Sequence, residues 1–138
     1  MQQLFLETTS DPARLASIRR AVEAYCTSCG FDEKTVGELG LVVNEALANV
    51  TRHAYGGAID RPVRIDAEFD KDMLQIRIRD WGNGKDPTLA PPKHDPLIPG
   101  GLGLVCLRSL LDEATFKPQP DGMLLTMRRR KTAAGKRQ

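Results

Sequence analysis

The chain has 138 residues, 41% hydrophobic and 28% charged, the make-up of a water-soluble protein long enough for one domain of roughly 100–150 residues but not for two. No apolar run reaches the roughly 18–20 residues of a membrane span, residues 1–20 hold no apolar leader, and three cysteines cannot close a disulfide set, so a reducing cytoplasm is expected. The formal net charge of +2 conceals an asymmetry: the eleven residues Arg128 to Gln138 hold six positive charges and no acid, which leaves residues 1–127 at −4.

Residues 3–8 (QLFLET) alternate Leu4 and Leu6 with polar neighbours and predict a first strand. A helix follows, capped by Ser10 or Asp11, with Pro12 where a missing N–H costs nothing. Leu15, Ile18, Val22 and Tyr25 recur at helical spacing, and Gly30 closes the end. Asp32 caps a second helix running to about Arg52, whose apolar set Val36, Leu39, Val43, Ala46, Leu47 and Val50 spans an arc of roughly 100°. Two alternating runs, Val63-Ile65-Ala67-Phe69 and Leu74-Ile76-Ile78, flank Asp70-Lys71-Asp72 and read as an antiparallel hairpin. From Trp81 to Gly101 the chain holds five of its nine prolines and no periodicity, which reads as a lid, chiefly over residues 85–101. Residues 102–112 (LGLVCLRSLLD) predict a third helix, and 113–118 with 122–129 a closing hairpin around Gln119-Pro120-Asp121-Gly122.

Helices bunched beside antiparallel hairpins indicate an α+β two-layer sandwich, a mixed, mostly antiparallel sheet with helices on one face, rather than a doubly wound fold. One domain is expected over residues 1–131 and a basic, disordered tail over 132–138, with Arg128–Arg130 partly lining the last strand. The acidic body lacks the broad positive face of a nucleic-acid binder.

On the second helix Glu38, Glu45, Asn49, Arg52 and His53 form a polar stripe beside the apolar arc. Such a stripe is commonly just a solvated face, but asparagine is a poor helix-interior residue without a side-chain task. Glu45 and Asn49, one turn apart, can point into one cleft, where the carboxylate can accept a proton and the carboxamide can offer a hard oxygen to Mg²⁺. His53, at the helix end, reads as a C-terminal charge or packing residue rather than a metal ligand.

Asp80-Trp81-Gly82-Asn83-Gly84 follows directly on a strand, and Gly100-Gly101-Leu102-Gly103-Leu104 leads into a helix. Such junctions let backbone N–H groups approach an anion, although each alone is more often a turn. Neither matches a P-loop or a dinucleotide fingerprint. A carboxylate such as Asp80 at a cleft rim can accept a hydrogen bond from the exocyclic amine of adenine. Cys26-Thr27-Ser28-Cys29 has redox or zinc spacing, but it sits at a helix C-terminus with no second pair and reads as structural, as does Cys106.

In this order, Glu-x-x-x-Asn, Asp-x-Gly-x-Gly, a Pro-rich stretch and Gly-Gly-x-Gly-Leu resemble the GHKL ATPase/kinase superfamily over roughly residues 5–131. Within it, NEALANVTRHAY (44–55) and DGMLLTMRRRK (121–131) are similar to the anti-sigma factor serine-protein kinases of bacterial partner-switching systems. The resemblance implies a Bergerat-type fold and ATP with Mg²⁺ as cofactors. Glu45 is then the general base toward a serine hydroxyl and Asn49 the Mg²⁺ ligand. Asp80 binds the adenine amino group, Gly82 and Gly84 shape its pocket, Gly100, Gly101, Leu102 and Gly103 wrap the phosphates, and His53 joins the nucleotide-binding set. The implied partners are a sigma factor, an anti-sigma factor antagonist of the STAS type and a second copy of the chain, with neither nucleic acid nor membrane. Two positions depart from the pattern: Met123 stands where a threonine often follows the hairpin glycine, and Ile98-Pro99 where some members carry an arginine. The resemblance thus implies ATP binding more directly than phosphoryl transfer. A nucleotide-dependent binding module and a detached histidine-kinase ATP-binding domain are the other readings.

Overall fold

A computed structural model of the chain describes residues 2–84 and 109–132. Strand β1 (Gln2–Thr9) leads through a 3₁₀ turn (Pro12–Arg14) into helix α1 (Leu15–Ser28), and helix α2 (Glu33–Asn49) continues as one π turn (Val50–Ala54). Strands β2 (Pro62–Asp70), β3 (Met73–Asp80), β4 (Glu113–Gln119) and β5 (Gly122–Arg130) complete the sheet. Its order is β1-β2-β3-β5-β4, and every pairing is antiparallel.

The alternation in each strand decides its two faces. In β2 and β3 the residues Val63, Ile65, Ala67, Leu74, Ile76 and Ile78 are buried, while Arg64, Asp66, Gln75 and Arg77 between them stand on the other face. Against the apolar face lie Val22 and Cys26 of α1 and Leu39, Val42, Val43 and Ala46 of α2, all at most 2% exposed. Each large aliphatic side chain so buried contributes about 1.5–3 kcal/mol. The outer face is held by polar pairs across the strands, among them Arg77 with Asp66 at 2.7 Å and Arg128 Nε with Gln75 Oε1 at 3.0 Å.

Local chemistry explains the element ends. Asp11 rather than Ser10 caps the first turn, its Oδ1 accepting from Ala13 N at 2.9 Å. Ser10 instead donates to the Ala58 carbonyl and accepts from Arg61 N. Asp32 Oδ1 accepts from Thr35 N at 2.8 Å and starts α2. The second helix does not run as regular α-helix to Arg52. It ends at Asn49, because the Thr51 hydroxyl donates to the Ser10 carbonyl at 2.6 Å and sits 3.4 Å from Leu47 O, competing with the helical ladder. Tyr55 N then bonds Val50 O, five residues back, at 3.1 Å. The lid over residues 85–101 and most of the third helix lie outside the described residues. Ser109 is helical, and the chain has left that helix by Leu110, short of the expected end at Asp112.

Cys26 and Cys29 are buried and not joined in a disulfide, and burial pushes the Cys26 thiol up to about 12, which disfavours the thiolate that redox or metal chemistry needs.

Candidate functional site

Asn49 is the last residue of α2 and is 5% exposed. Its Oδ1 accepts from Arg52 Nη2 at 3.0 Å, while its buried Nδ2 meets no hydrogen-bond partner among the described residues. Native proteins seldom leave such a group unpaired without a ligand or water to meet it. Across from it Asp80, the last residue of β3, is 3% exposed. Its Oδ1 accepts from Gly82 N at 2.9 Å, which fixes the rotation of the carboxylate. Burial pushes the Asp80 pKa above the usual carboxylate range, opposed by the backbone amides of Gly82 and Met123 and by Arg79.

Between them opens a solvent-connected cleft, whose empty space of about 390 Å³ includes the open solvent at its mouth. One wall is the end of α2 with the π turn, contributing Ala46, Asn49, Val50, His53 and Ala54. The other is the sheet, contributing Ile78 and Asp80 from β3, Phe116 from β4, and Met123 and Leu125 from β5. The walls are apolar, and Asn49, His53 and Asp80 carry the polar side chains. Partial burial and the neighbouring Arg52 lower the pKa of the His53 imidazole from its ordinary value.

The glycines of the Asp80–Gly84 turn have a spatial reason. A Cβ at Gly82 would overlap the carbonyl of Ala54, so only glycine lets the turn approach the π turn this closely. Gly84 has a left-handed φ of +71°.

The structure therefore brings Asn49, His53 and Asp80 around one cleft, with Gly82 beside it, bonded to Asp80 and packed on Ala54. Glu45 lies one turn before Asn49 on α2, half-buried and outside the cleft lining. Gly100, Gly101, Leu102 and Gly103 lie outside the described residues. Glu38, from the same helical stripe, is not a site residue: it pairs at 3.2 Å with Arg129, which is 2% exposed within the core. Sequence reasoning had no role for Phe116 and Leu125 in the cleft, and it set Met123 down as a departure without placing it. Strand alternation marks all three as inward-facing, but only the register Asp80↔Met123 puts Met123 beside the carboxylate.

The one hard oxygen that α2 presents to the cleft is Asn49 Oδ1, which accepts from Arg52 Nη2 and keeps a second lone pair. Among the described residues no group of three His, Cys, Asp or Glu side chains could hold a metal. Mg²⁺ commonly takes one or two protein oxygens plus phosphates and water, and the carboxamide of Asn49 could supply one of them.

Comparison with known proteins decides the family. The model of the histidine kinase-like ATPase domain matches residues 8–129. The chain belongs to this family. Its relatives include the serine-protein kinase RsbW of Bacillus subtilis, 28% identical over 117 residues that span 78% of this chain and 73% of that one. RsbW of Listeria innocua is 23% identical over 120 residues, 80% of this chain and 76% of the relative. Among solved structures, the RsbU and RsbW domains of Rv1364c from Mycobacterium tuberculosis superpose with a TM-score of 0.72 at 16% identity, covering 96% of this chain and 33% of that longer one. The SiaB–SiaC complex of Pseudomonas aeruginosa gives 0.58 at 18%, covering 90% and 88%. These likenesses establish the GHKL-type fold. No helix among the described residues is long and apolar enough to cross a membrane.

Proposed function

We propose that the protein is a cytoplasmic, ATP-binding anti-sigma factor that phosphorylates a serine of its antagonist. The carrying observation is the buried Asp80 at the floor of an apolar cleft, in a family of ATPase domains whose relatives here are named serine-protein kinases. In this reading Asp80 accepts from the exocyclic amine of adenine while Ile78, Val50 and Met123 cover the ring faces. Gly82 and Gly84 hold the turn that closes over the base. Asn49 offers its carboxamide oxygen to Mg²⁺, and His53 borders the phosphates, which Gly100, Gly101, Leu102 and Gly103 wrap with backbone amides. Mg²⁺, when bound, supplies charge neutralisation on the phosphates. Glu45 takes the proton of the acceptor serine as the serine oxygen bonds the γ-phosphorus and the bond from that phosphorus to the β–γ bridging oxygen breaks, giving phosphoserine and ADP.

The partners in this reading are a sigma factor, a STAS-type antagonist and a second copy of the chain. The RsbW relatives, named serine-protein kinases, and a structural neighbour solved as the two-protein SiaB–SiaC complex support the antagonist, while the sigma factor and the second copy rest on the family resemblance. A second reading, a nucleotide-set binding module without turnover, draws support from Met123, which places a thioether instead of a hydroxyl against Asp80.

Incubation with γ-labelled ATP, Mg²⁺ and candidate antagonists separates the two. The kinase reading expects label on a serine, abolished in Glu45→Gln with ATP binding retained. ATP binding with no transfer to any antagonist that forms a complex with the protein supports the module, and an unchanged rate in Glu45→Gln removes Glu45 as the base.

A further inference from the structure

Tyr55 has no part in the chemistry assigned above, yet its hydroxyl joins two backbone segments. It donates to the Pro62 carbonyl at 2.5 Å and accepts from Trp81 N at 2.7 Å. A phenol has one proton, so with that proton on Pro62 the oxygen is an acceptor toward Trp81. The last pair of the β2–β3 ladder is Val63↔Asp80, and the next in register would be Pro62 opposite Trp81. The Tyr55 oxygen stands between that carbonyl and that amide as a one-atom bridge where a direct rung would close. The strands part there, and β3 is released into the Asp80–Gly84 turn.

Neighbouring residues reinforce the bridge. Asn83 N donates to Ala54 O at 3.1 Å, and Asn83 Nδ2 donates to His53 O at 2.7 Å. Both carbonyls belong to the π turn, whose wide spacing ends the helix and leaves its last carbonyls facing the loop. On the far side Arg64 and Arg79 lie over the Trp81 ring, 5.3 and 4.7 Å from its centroid. They hold the side chain, while Tyr55 holds the backbone between Asp80 and Gly82.

We propose that Tyr55 is a positioning residue for base recognition: its hydroxyl fixes the turn that aims the Asp80 carboxylate into the cleft, and thereby sets the preference for a purine carrying an exocyclic amine. This rests on the ATP reading above, and the test keeps the two apart. In nucleotide-free wild-type protein the Trp81 amide is protected from hydrogen exchange although it lies beyond the last rung. In Tyr55→Phe it exchanges at least about tenfold faster while Ile76 and Val43 keep their protection. Wild type binds ATP more tightly than purine riboside triphosphate, which lacks only the amine. Tyr55→Phe loses about fivefold in ATP affinity and little or none for the analogue. An unprotected Trp81 amide in wild type overturns the proposal even where the variant does not fold. So does an equal loss for both nucleotides, which marks a merely structural role, or full discrimination retained by the variant. Wild-type protein that takes both nucleotides equally, or neither, overturns the ATP reading and this proposal with it.

Discussion

Asp80 is the residue on which the site turns, because burying a carboxylate against apolar walls is costly unless a ligand or amide repays it. Burial raises its pKa, which works in opposite directions on binding and on folding. A folded pKa above the unfolded one puts the penalty on stability at pH above the folded value and relieves it as pH falls through that value. In the proposed reading the ionised form binds the exocyclic amine of adenine, so ATP affinity is expected to be full above the raised pKa and to decline as pH drops through it. Titration calorimetry from pH 7.5 downward should show that decline beginning at a higher pH than an ordinary aspartate allows. At this scale Asp80 and Asn49 were legible in the sequence: each is a polar residue where a strand or helix pattern has no other use for one. Arg129 and Tyr55 were not. A basic residue in a run of four cations reads as surface, and only the register Leu74↔Arg129 with the Glu38 pair shows it to be interior.

Among elements, α2 does most to build the site, since its inward face makes core and its end makes cleft. The Asp32 cap and apolar arc were readable, whereas the π turn was not, because it depends on Thr51 reaching the Ser10 carbonyl, a contact 41 residues away in sequence. Glu38 ties α2 to β5 through Arg129, whose guanidinium also donates to Leu110 O at the start of the segment leading into β4. Glu38→Ala strands a buried cation and should cost about 2 kcal/mol in urea unfolding, less than the roughly 3–5 kcal/mol of a fully enclosed pair because Glu38 reaches water. The β2–β3 hairpin turns through Lys71 and Asp72, both at left-handed φ of +52° and +64°. Two such residues mark a type I′ turn, which prefers Asn-Gly. Replacing both, Lys71→Asn with Asp72→Gly, should therefore raise unfolding stability by about 0.5–1 kcal/mol, read in the same urea titration.

For the molecule as a whole, the α+β sandwich followed from the sequence because strand alternation and helical periodicity both specify one buried face. What lay beyond reach was the sheet order, in which β5 enters between β3 and β4 and so carries Met123 to Asp80. The charge asymmetry also takes a structural form. Of the basic end, Arg129 is core, Arg128 meets Gln75 and Glu113, and Lys131 donates to Cys29 O while lying over Phe69. Arg129 and Lys131 thus close the fold, while Arg128 and Arg130 stay exposed along β5; in the proposed reading a triphosphate is met by backbone amides, a cation and Asn49. The most direct test of that account is calorimetric titration of ATP with Mg²⁺ into wild-type protein and Asp80→Asn at pH 7.5. The account predicts one ATP per chain in wild type and an affinity at least about tenfold weaker in the variant. Equal affinity in the two proteins, or no binding to wild type, would contradict it.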